Sequence, residues 1–342
     1  MLPQLPDDAL SMTRYILKMM NLEDLPLSVK AHTQNWIFET VMPDGQKALI
    51  RLKGFFVPEG TSIMLPGLEQ PIIPNPMLGI YPADAVFFSA CELYALRKLT
   101  GNTTLALPRP LERITYGLSE LVIFSYVPGE SRTPETLTAK DAARCGAFLA
   151  QLHSESRRLI FRSPPDSRLN AEGLLGETSR YASPDEKMFL STQDQALLDT
   201  LRQHVADVET RIGLQSEHTL LLHGDFLLQN ILFEGDKIGA LDFEMCGWGT
   251  DFYDVATFLW QMKTSPRYDK IADAFWRGYT FWRELPPREW LEVFIAARHG
   301  ASVRWLIQNR YLPDYAEQVP ALIRQSMDEI AGFLDTGVLK RA

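Results

Sequence analysis

Ahead of residue 127 the apolar positions recur mostly with a period of two, and beyond it mostly with a period near 3.6. Asn35–Met42 (NWIFETVM) and Lys47–Lys53 (KALIRLK) are β-type runs flanking Pro43–Asp44–Gly45–Gln46, a strong turn signal, and predict a hairpin. Leu121–Tyr126 (LVIFSY) is an unbroken apolar run, predicting a buried strand that ends in the turn Val127–Pro128–Gly129–Glu130. Pro6–Met20 predicts a short amphipathic helix started by Asp7 and Asp8. Ala83–Leu99 predicts a second helix, with Ala90, Leu93, Leu96 and Leu99 as its stripe and Arg97 and Lys98 suited to its C-terminal end. Thr138–Ser154 is one-sided at Ala142, Cys145, Phe148, Leu149 and Leu152, with Thr138 and Asp141 as a start signal. Gln193–Ile212, Arg267–Trp282, Pro287–Asn309 and Asp314–Leu334 read as further helices. Gly54–Pro82 is irregular, carries six prolines and few charges, and is long for a loop inside a compact domain.

The chemistry concentrates in Leu221–Glu244, LLHGDFLLQNILFEGDKIGALDFE. Asp225 and Asn230 stand five positions apart, and Asp242 follows twelve residues after Asn230. Between them, two apolar runs flank the turn signal Glu234–Gly235–Asp236, which predicts a second hairpin. A hairpin folds back on itself, so Asn230 before its first strand and Asp242 after its second finish side by side. One place then holds a candidate base, Asp225, and two oxygen ligands for a hard cation, Asn230 and Asp242. Phosphoryl transfer needs this set: a carboxylate to orient the attacking hydroxyl and a divalent ion to neutralise nucleotide phosphates.

HGDFLLQN followed by LDFE resembles the aminoglycoside phosphotransferase and choline kinase superfamily, whose signature runs H-G-D-x-x-x-x-N and then I/L-D-F/W-E. The resemblance implies an α+β, two-lobed protein-kinase-like fold, with a small antiparallel-sheet lobe over 1–126 and a mostly helical catalytic and substrate lobe over 127–342. Residues 54–82 then form an insertion near the nucleotide cleft, placed either to cover it or to pair with another subunit as a homodimer. The implied cofactors are ATP or GTP and Mg²⁺, the latter held by Asn230 and Asp242. Leu49–Ile50–Arg51–Leu52 matches the family's third-strand pattern, making Arg51 the phosphate-side cation; Lys53 shares its face of the strand, and a solvent-facing basic edge is the competing reading. Glu92 is the helix glutamate carried over as the partner of that cation. The Pro-Gly turn places adenine-binding backbone groups near Ser125 and Val127. His223 joins the catalytic set as a buttress of the loop, and His153, in Leu152–His153, reads as structural. Asp254 either braces the catalytic loop through backbone N–H groups or caps the following helix. Glu244 falls near the metal shell or the substrate.

Two departures from the pattern stand out. Lys30–Ala31–His32–Thr33–Gln34 lacks the glycine that the family's turn before the first hairpin strand often carries, and position 51 is Arg, a planar fork, where Lys is a point charge. Asp242 is followed within twelve residues by Asp254, and no A-P-E sequence occurs, so there is no room for a peptide platform. The expected acceptor is a small hydroxylated molecule. Trp248, Trp260, Trp282, Arg298, His299, Arg304 and Trp305 are candidates for its wall, with core packing or a solvated helix face as the competing reading for each.

Composition narrows this picture only a little. The 342 residues are 46% apolar and 23% charged, normal for a soluble globular protein. No apolar run reaches the roughly 18 residues of a membrane span. MLPQLPDDALSM has neither the basic nor the long apolar region of a secretory signal. Cys91, Cys145 and Cys246 form no metal-type spacing and no disulfide framework, which fits a reducing cytoplasm. Net charge −9 argues against nucleic acid as the main partner, and is weakly compatible with a cationic small substrate. Two other functions stay open: a nucleotide-binding protein that keeps the fold but has lost turnover, motivated by the missing glycine, and a metal-dependent hydrolase built on His223, Asp225 and Asp242, disfavoured for want of further ligands.

Overall fold

A computed structural model describes residues 9–32, 35–53, 84–116, 119–159, 168–177, 179–183, 185–213, 218–285, 287–310 and 316–339. The expected insertion at 54–82 lies outside them. The chain divides into two units, Met1–Phe87 with Pro108–Tyr126, and Phe88–Leu107 with Val127–Ala342. Residues 88–107, expected within the first lobe, cluster with the larger unit.

The first unit contains helix α1 (Ala9–Lys18) and strands β1 (Ser28–His32), β2 (Trp36–Val41) and β3 (Lys47–Lys53). After helix α2 (Asp84–Asn102), whose length is mostly in the second unit, come β4 (Pro110–Tyr116) and β5 (Ser119–Ser125). The sheet order is β1-β2-β3-β5-β4, antiparallel throughout. Alternation along β3 sends Ala48, Ile50 and Leu52 to one face, where they join Phe38, Leu121 and Ile123 against Ala9, Met12, Ile16 and Leu17 of α1. Each large side chain buried this way contributes about 1.5–3 kcal/mol. The same alternation puts Arg51 and Lys53 on the opposite face.

Strand β1 corrects one expectation. Lys30, Ala31 and His32, read as part of a turn, lie in this strand: Ala31 pairs with Ile37 and His32 with Trp36, and the register shifts at Lys30. Thr33 and Gln34 lie outside the described residues. SVKAH forms an edge strand whose Val29 is 58% exposed, and an edge needs little apolar alternation, so the pattern left nothing to detect. In α2, Leu93, Leu96 and Leu99 are buried as the stripe requires, whereas Ala90 is exposed.

The second unit holds helix α3 (Ala139–Ser156), β6 (Arg168–Leu169), and helices α4 (Ala171–Leu175), α5 (Glu186–Phe189) and α6 (Thr192–Ile212). There follow β7 (Thr219–Leu222), β8 (Ile231–Glu234), β9 (Lys237–Ala240), β10 (Gly247–Thr250), α7 (Phe252–Trp260), α8 (Tyr268–Thr280), α9 (Leu291–Gln308) and α10 (Val319–Thr336). Capping boxes start α3 (Thr138 with Asp141) and α6 (Ser191 with Asp194), satisfying orphan N–H groups at both helix starts. Helices α3 and α8 cross at glycines: a Cβ on Gly146 would stand 2.1 Å from the Phe275 carbonyl, and one on Gly278 would stand 1.9 Å from that of Ala143. This crossing allows His153 on α3 to meet Tyr279 on α8. Strand β10 joins β7 antiparallel and β6 parallel. Its sequence, GWGT, has too few β-formers to be read as a strand, yet Gly249 is needed there because a Cβ would lie 2.6 Å from the Leu169 carbonyl.

Near the C-terminal end of α6, the half-buried Glu209 accepts a hydrogen bond at 3.1 Å from the Ala171 N–H at the start of α4. Burial raises its pKa to about 7 against the opposing pull of that bond. A carboxyl raised in the folded state stabilises most below its ordinary value, and that contribution is lost as pH climbs through the folded value. The Glu209 contribution to wild-type stability is therefore expected to fall between about pH 4.5 and 7 by about 1–2 kcal/mol, discounted for solvent screening. Glu209→Gln removes that fall, as urea unfolding at pH 5 and pH 8 will show; an equal slope in both proteins would count against it. Among the described residues, no helix is long and apolar enough to cross a membrane.

Candidate active site

Strand β7 delivers the chain into His223–Gly224–Asp225. Gly224 has φ +81°, and a Cβ there would stand 2.1 Å from the Met245 carbonyl, so only glycine passes. Asp254, in the first turn of α7, holds this turn from below. Its carboxylate accepts from the His223 N–H (2.8 Å), the Gly224 N–H (2.8 Å) and His153 Nε2 (2.9 Å), and it is fully buried. Bracing, and not capping, is thus what Asp254 does; the N-cap position belongs to Asp251. Burial by itself would raise the Asp254 pKa, but the His153 hydrogen bond, the charges of His153 and His223 and the Gly224 N–H together hold it below the ordinary carboxylate value. The Tyr279 hydroxyl, 2.6 Å from His153 Nδ1, completes the chain. This pattern is satisfied when Nε2 carries the proton and Nδ1 accepts from Tyr279.

The hairpin β8–β9 closes at Gly235, φ +56°, and pairs Ile231 with Ala240. One step further, the Leu241 N–H donates to the Asn230 carbonyl at 2.8 Å. The Leu241 carbonyl accepts from His223 Nε2 at 2.9 Å, and His223 Nδ1 accepts from the Asp225 N–H at 3.3 Å. Both main-chain groups of the residue before Asp242 are therefore tied to the loop carrying Asp225 and Asn230. Burial lowers the His223 pKa, opposed by the charges of Asp254 and Asp225. With both ring nitrogens engaged, the geometry suits His223 as a strut between the two segments. Asp242 has φ +60°, one of two non-glycine residues with positive φ among those described, an uncommon conformation that nothing in the sequence announces.

Asn230 Nδ2 donates to the Asp225 carbonyl and to its Oδ2, both at 3.0 Å. That commits the amide nitrogen, so that any cation contact of this side chain would fall to its oxygen. Asp225 Oδ1 accepts from Arg298 Nη2 at 2.7 Å. Among the described residues no cluster of three or more His, Cys, Asp and Glu side chains is arranged to hold a metal. The donor set of one amide oxygen and one carboxylate fits Mg²⁺ when phosphates and water supply the remaining oxygens.

In the first unit, Arg51 is buried, its guanidinium 5.0 Å from the centre of the Phe124 ring. Lys53 is buried on the same face, opposite Glu120 of β5. The Ser125 N–H donates to the Arg109 carbonyl and its hydroxyl accepts from the Arg109 N–H, both at 2.9 Å. The Ser125 N–H and hydroxyl are thus both committed to the Arg109 main chain. In the second unit, Glu92 is buried beside Cys91, whose sulfur lies 3.8 Å from that of Cys246. Val127 packs against Gly239, where a Cβ would meet its Cγ1 at 2.6 Å.

The wall residues disperse. Trp260 lies 5.4 Å under the Arg298 guanidinium, and its ring meets His299 edge-on at 5.6 Å. His299 is buried, and burial together with Lys263 and Arg298 lowers its pKa to about 3. Arg304 instead ties Gly176 (2.6 Å) and Glu186, while Trp282 is 56% exposed beside Phe281. Trp248 sits on β10, half-buried, and Trp305 on α9, also half-buried. Residues not anticipated include Tyr279, Gln261, whose side chain accepts from the Leu228 N–H at 2.8 Å, and Arg180, which donates to the Glu244 carbonyl at 3.1 Å. None has a sequence signature, since each acts through one contact with a distant segment.

Known proteins resemble this chain in sequence family and in fold. A model of the phosphotransferase enzyme family (APH) matches residues 82–291, more than half of the chain. A microcompartment-associated aminopropanol kinase has a similar structure: TM-score 0.68, 19% identity, covering 96% of this chain and 99% of that one. An amicoumacin kinase, solved with AMP-PNP, Ca²⁺ and Ami, gives 0.63 at 16% identity, covering 92% and 93%. A choline/ethanolamine kinase family protein from Mesorhizobium loti gives 0.63 at 16% identity, covering 95% and 94%. No match is found among curated proteins compared by sequence. The structural likenesses show the α+β, two-lobed kinase-like fold. The match over residues 82–291 shows more, and the chain belongs to the phosphotransferase enzyme family.

Proposed function

We propose that this protein transfers the γ-phosphate of ATP or GTP to a hydroxyl of a small molecule. The observation that carries the reading is the junction of two segments: Asn230 bonded to Asp225, and Leu241, the neighbour of Asp242, bonded through both main-chain groups to Asn230 and His223. Asp225 orients the acceptor hydroxyl, because in a loose transition state alignment matters more than strong basicity. Asn230 and Asp242 hold Mg²⁺, which neutralises charge on the nucleotide phosphates when bound. Arg51, Glu92, Ser125 and Val127 are assigned to the nucleotide as part of the same proposal.

The relatives' printed names suggest the panel to test: amino alcohols, choline-like compounds, aminoglycosides and other hydroxylated antibiotics, with sugars as a wider set. ATP and GTP consumption is measured against each, with Mg²⁺ and with EDTA. Mg²⁺-dependent consumption stimulated by one class of acceptor is the expected result. A protein that keeps the fold without turnover shows no consumption, and a thermal-shift measurement with MgATP separates a binder from a silent fold.

A further inference from the structure

We propose that Arg298 is a positioning residue for phosphoryl transfer, holding the Asp225 carboxylate in the orientation that receives the acceptor hydroxyl; the inference rests on the function proposed above. A carboxylate turns about a broad, two-fold torsion, so one hydrogen bond does not fix its plane. Asp225 has two, one to each oxygen: Arg298 Nη2 on Oδ1 at 2.7 Å and Asn230 Nδ2 on Oδ2 at 3.0 Å. Each oxygen keeps a second lone pair for an incoming hydroxyl.

Arg298 is itself held. It projects from α9 with its guanidinium 5.4 Å from the Trp260 ring, its side chain 11% exposed, and the Tyr253 hydroxyl lies beside it. Trp260 ends α7, the helix that also carries Asp254. One helix thus braces the Asp225 loop from its backbone and supports the arginine that fixes its side chain. Burial disfavours the charged guanidinium, but the Asp225 charge together with the Tyr253 and Tyr181 hydroxyls outweighs it and keeps Arg298 a cation. A largely buried ion pair gives little net stability, since desolvation cancels most of the attraction. Its contribution here is orientation: the Arg298 Nη2 bond to one oxygen, with the Asn230 bond to the other, sets the plane of the group that aligns the nucleophile.

The test uses the full chain with MgATP and water as acceptor, then the acceptor turned over fastest in the panel. Arg298→Met is expected to lower kcat about 100-fold with the KM for MgATP unchanged. Arg298→Lys recovers part of the loss, because it keeps the cation without the fork. Arg298→Ala recovers on adding guanidinium ion, which refills the vacated site; these two variants decide the matter where Arg298→Met folds poorly. Wild-type kcat in Arg298→Met alongside an inactive Asp225→Asn sinks the positioning role and leaves the proposed function intact. Loss of kcat in step with thermal stability, without recovery by lysine or guanidinium, makes the pair structural and also sinks it. No Mg²⁺-dependent hydrolysis or transfer by the wild type overturns the proposed function, and this role with it.

Discussion

Asp225→Asn is expected to lower the rate of phosphoryl transfer by about 10²–10⁴-fold while leaving nucleotide affinity nearly unchanged. Asparagine preserves the volume and offers Arg298 one oxygen, so the loop need not collapse. What disappears is the second anionic oxygen. In its place stands an N–H group, which cannot accept from the acceptor hydroxyl and which opposes the Asn230 amide where Oδ2 now accepts at 3.0 Å. The substrate hydroxyl then loses its alignment at the moment of transfer, although the phosphates and their cation are held as before. Steady-state kinetics with a nucleotide titration read both quantities. Full turnover in the variant, or parallel loss of turnover and nucleotide binding, would remove Asp225 from the role assigned to it.

Asp254→Ala is expected to cost about 3–5 kcal/mol of stability and to abolish transfer, although Asp254 touches neither nucleotide nor acceptor in the proposed reaction. The fully buried carboxylate accepts from two main-chain N–H groups and one imidazole, and alanine leaves all three donors without a partner. Gly224, at φ +81°, then loses the bonds that hold its turn, and Asp225 moves with it. Asp254→Asn tests the same point with less loss of volume: it keeps one acceptor but sets an amide N–H against a donor, so it recovers only part of the stability. The pH dependence has a definite sign. A carboxyl held below its ordinary value contributes stability above that value, and the contribution is lost as pH falls through the folded one. Acid unfolding of the wild type should therefore be steeper than that of Asp254→Ala, as monitored by circular dichroism. A stable, active Asp254→Ala would refute the bracing role.

Much of this site was legible before any coordinates. Asp225, Asn230 and the hairpin that returns the chain toward Asp242 are linked by local spacing, and a two-residue turn leaves a hairpin little freedom. Thr138 with Asp141 announced the start of α3 for the same reason, a contact three residues long. Strand β1 was missed because an edge strand needs no apolar alternation, and β10 because Gly249 is required by the close approach of Leu169 in β6 and not by β-propensity. The candidates for the acceptor wall do not form one cluster. Tryptophan and arginine on a helix are equally at home in a core, on a surface or in a pocket, and only packing separated Trp260 and Arg298 from Arg304 and Trp282.

From its sequence alone this protein declared the family, the hairpin and the spacing that links Asp225, Asn230 and the approach to Asp242, since each depends on residues within two dozen positions of one another. Tertiary structure alone decided that Arg298 would reach Asp225 across 73 residues, that Asp254 would anchor the His223–Gly224 turn, and that His153 would meet Tyr279 where two helices cross at glycines. Local periodicity fixes which face a side chain occupies. Which distant group it meets depends on how whole helices pack, and that is settled by the fit of many side chains at once.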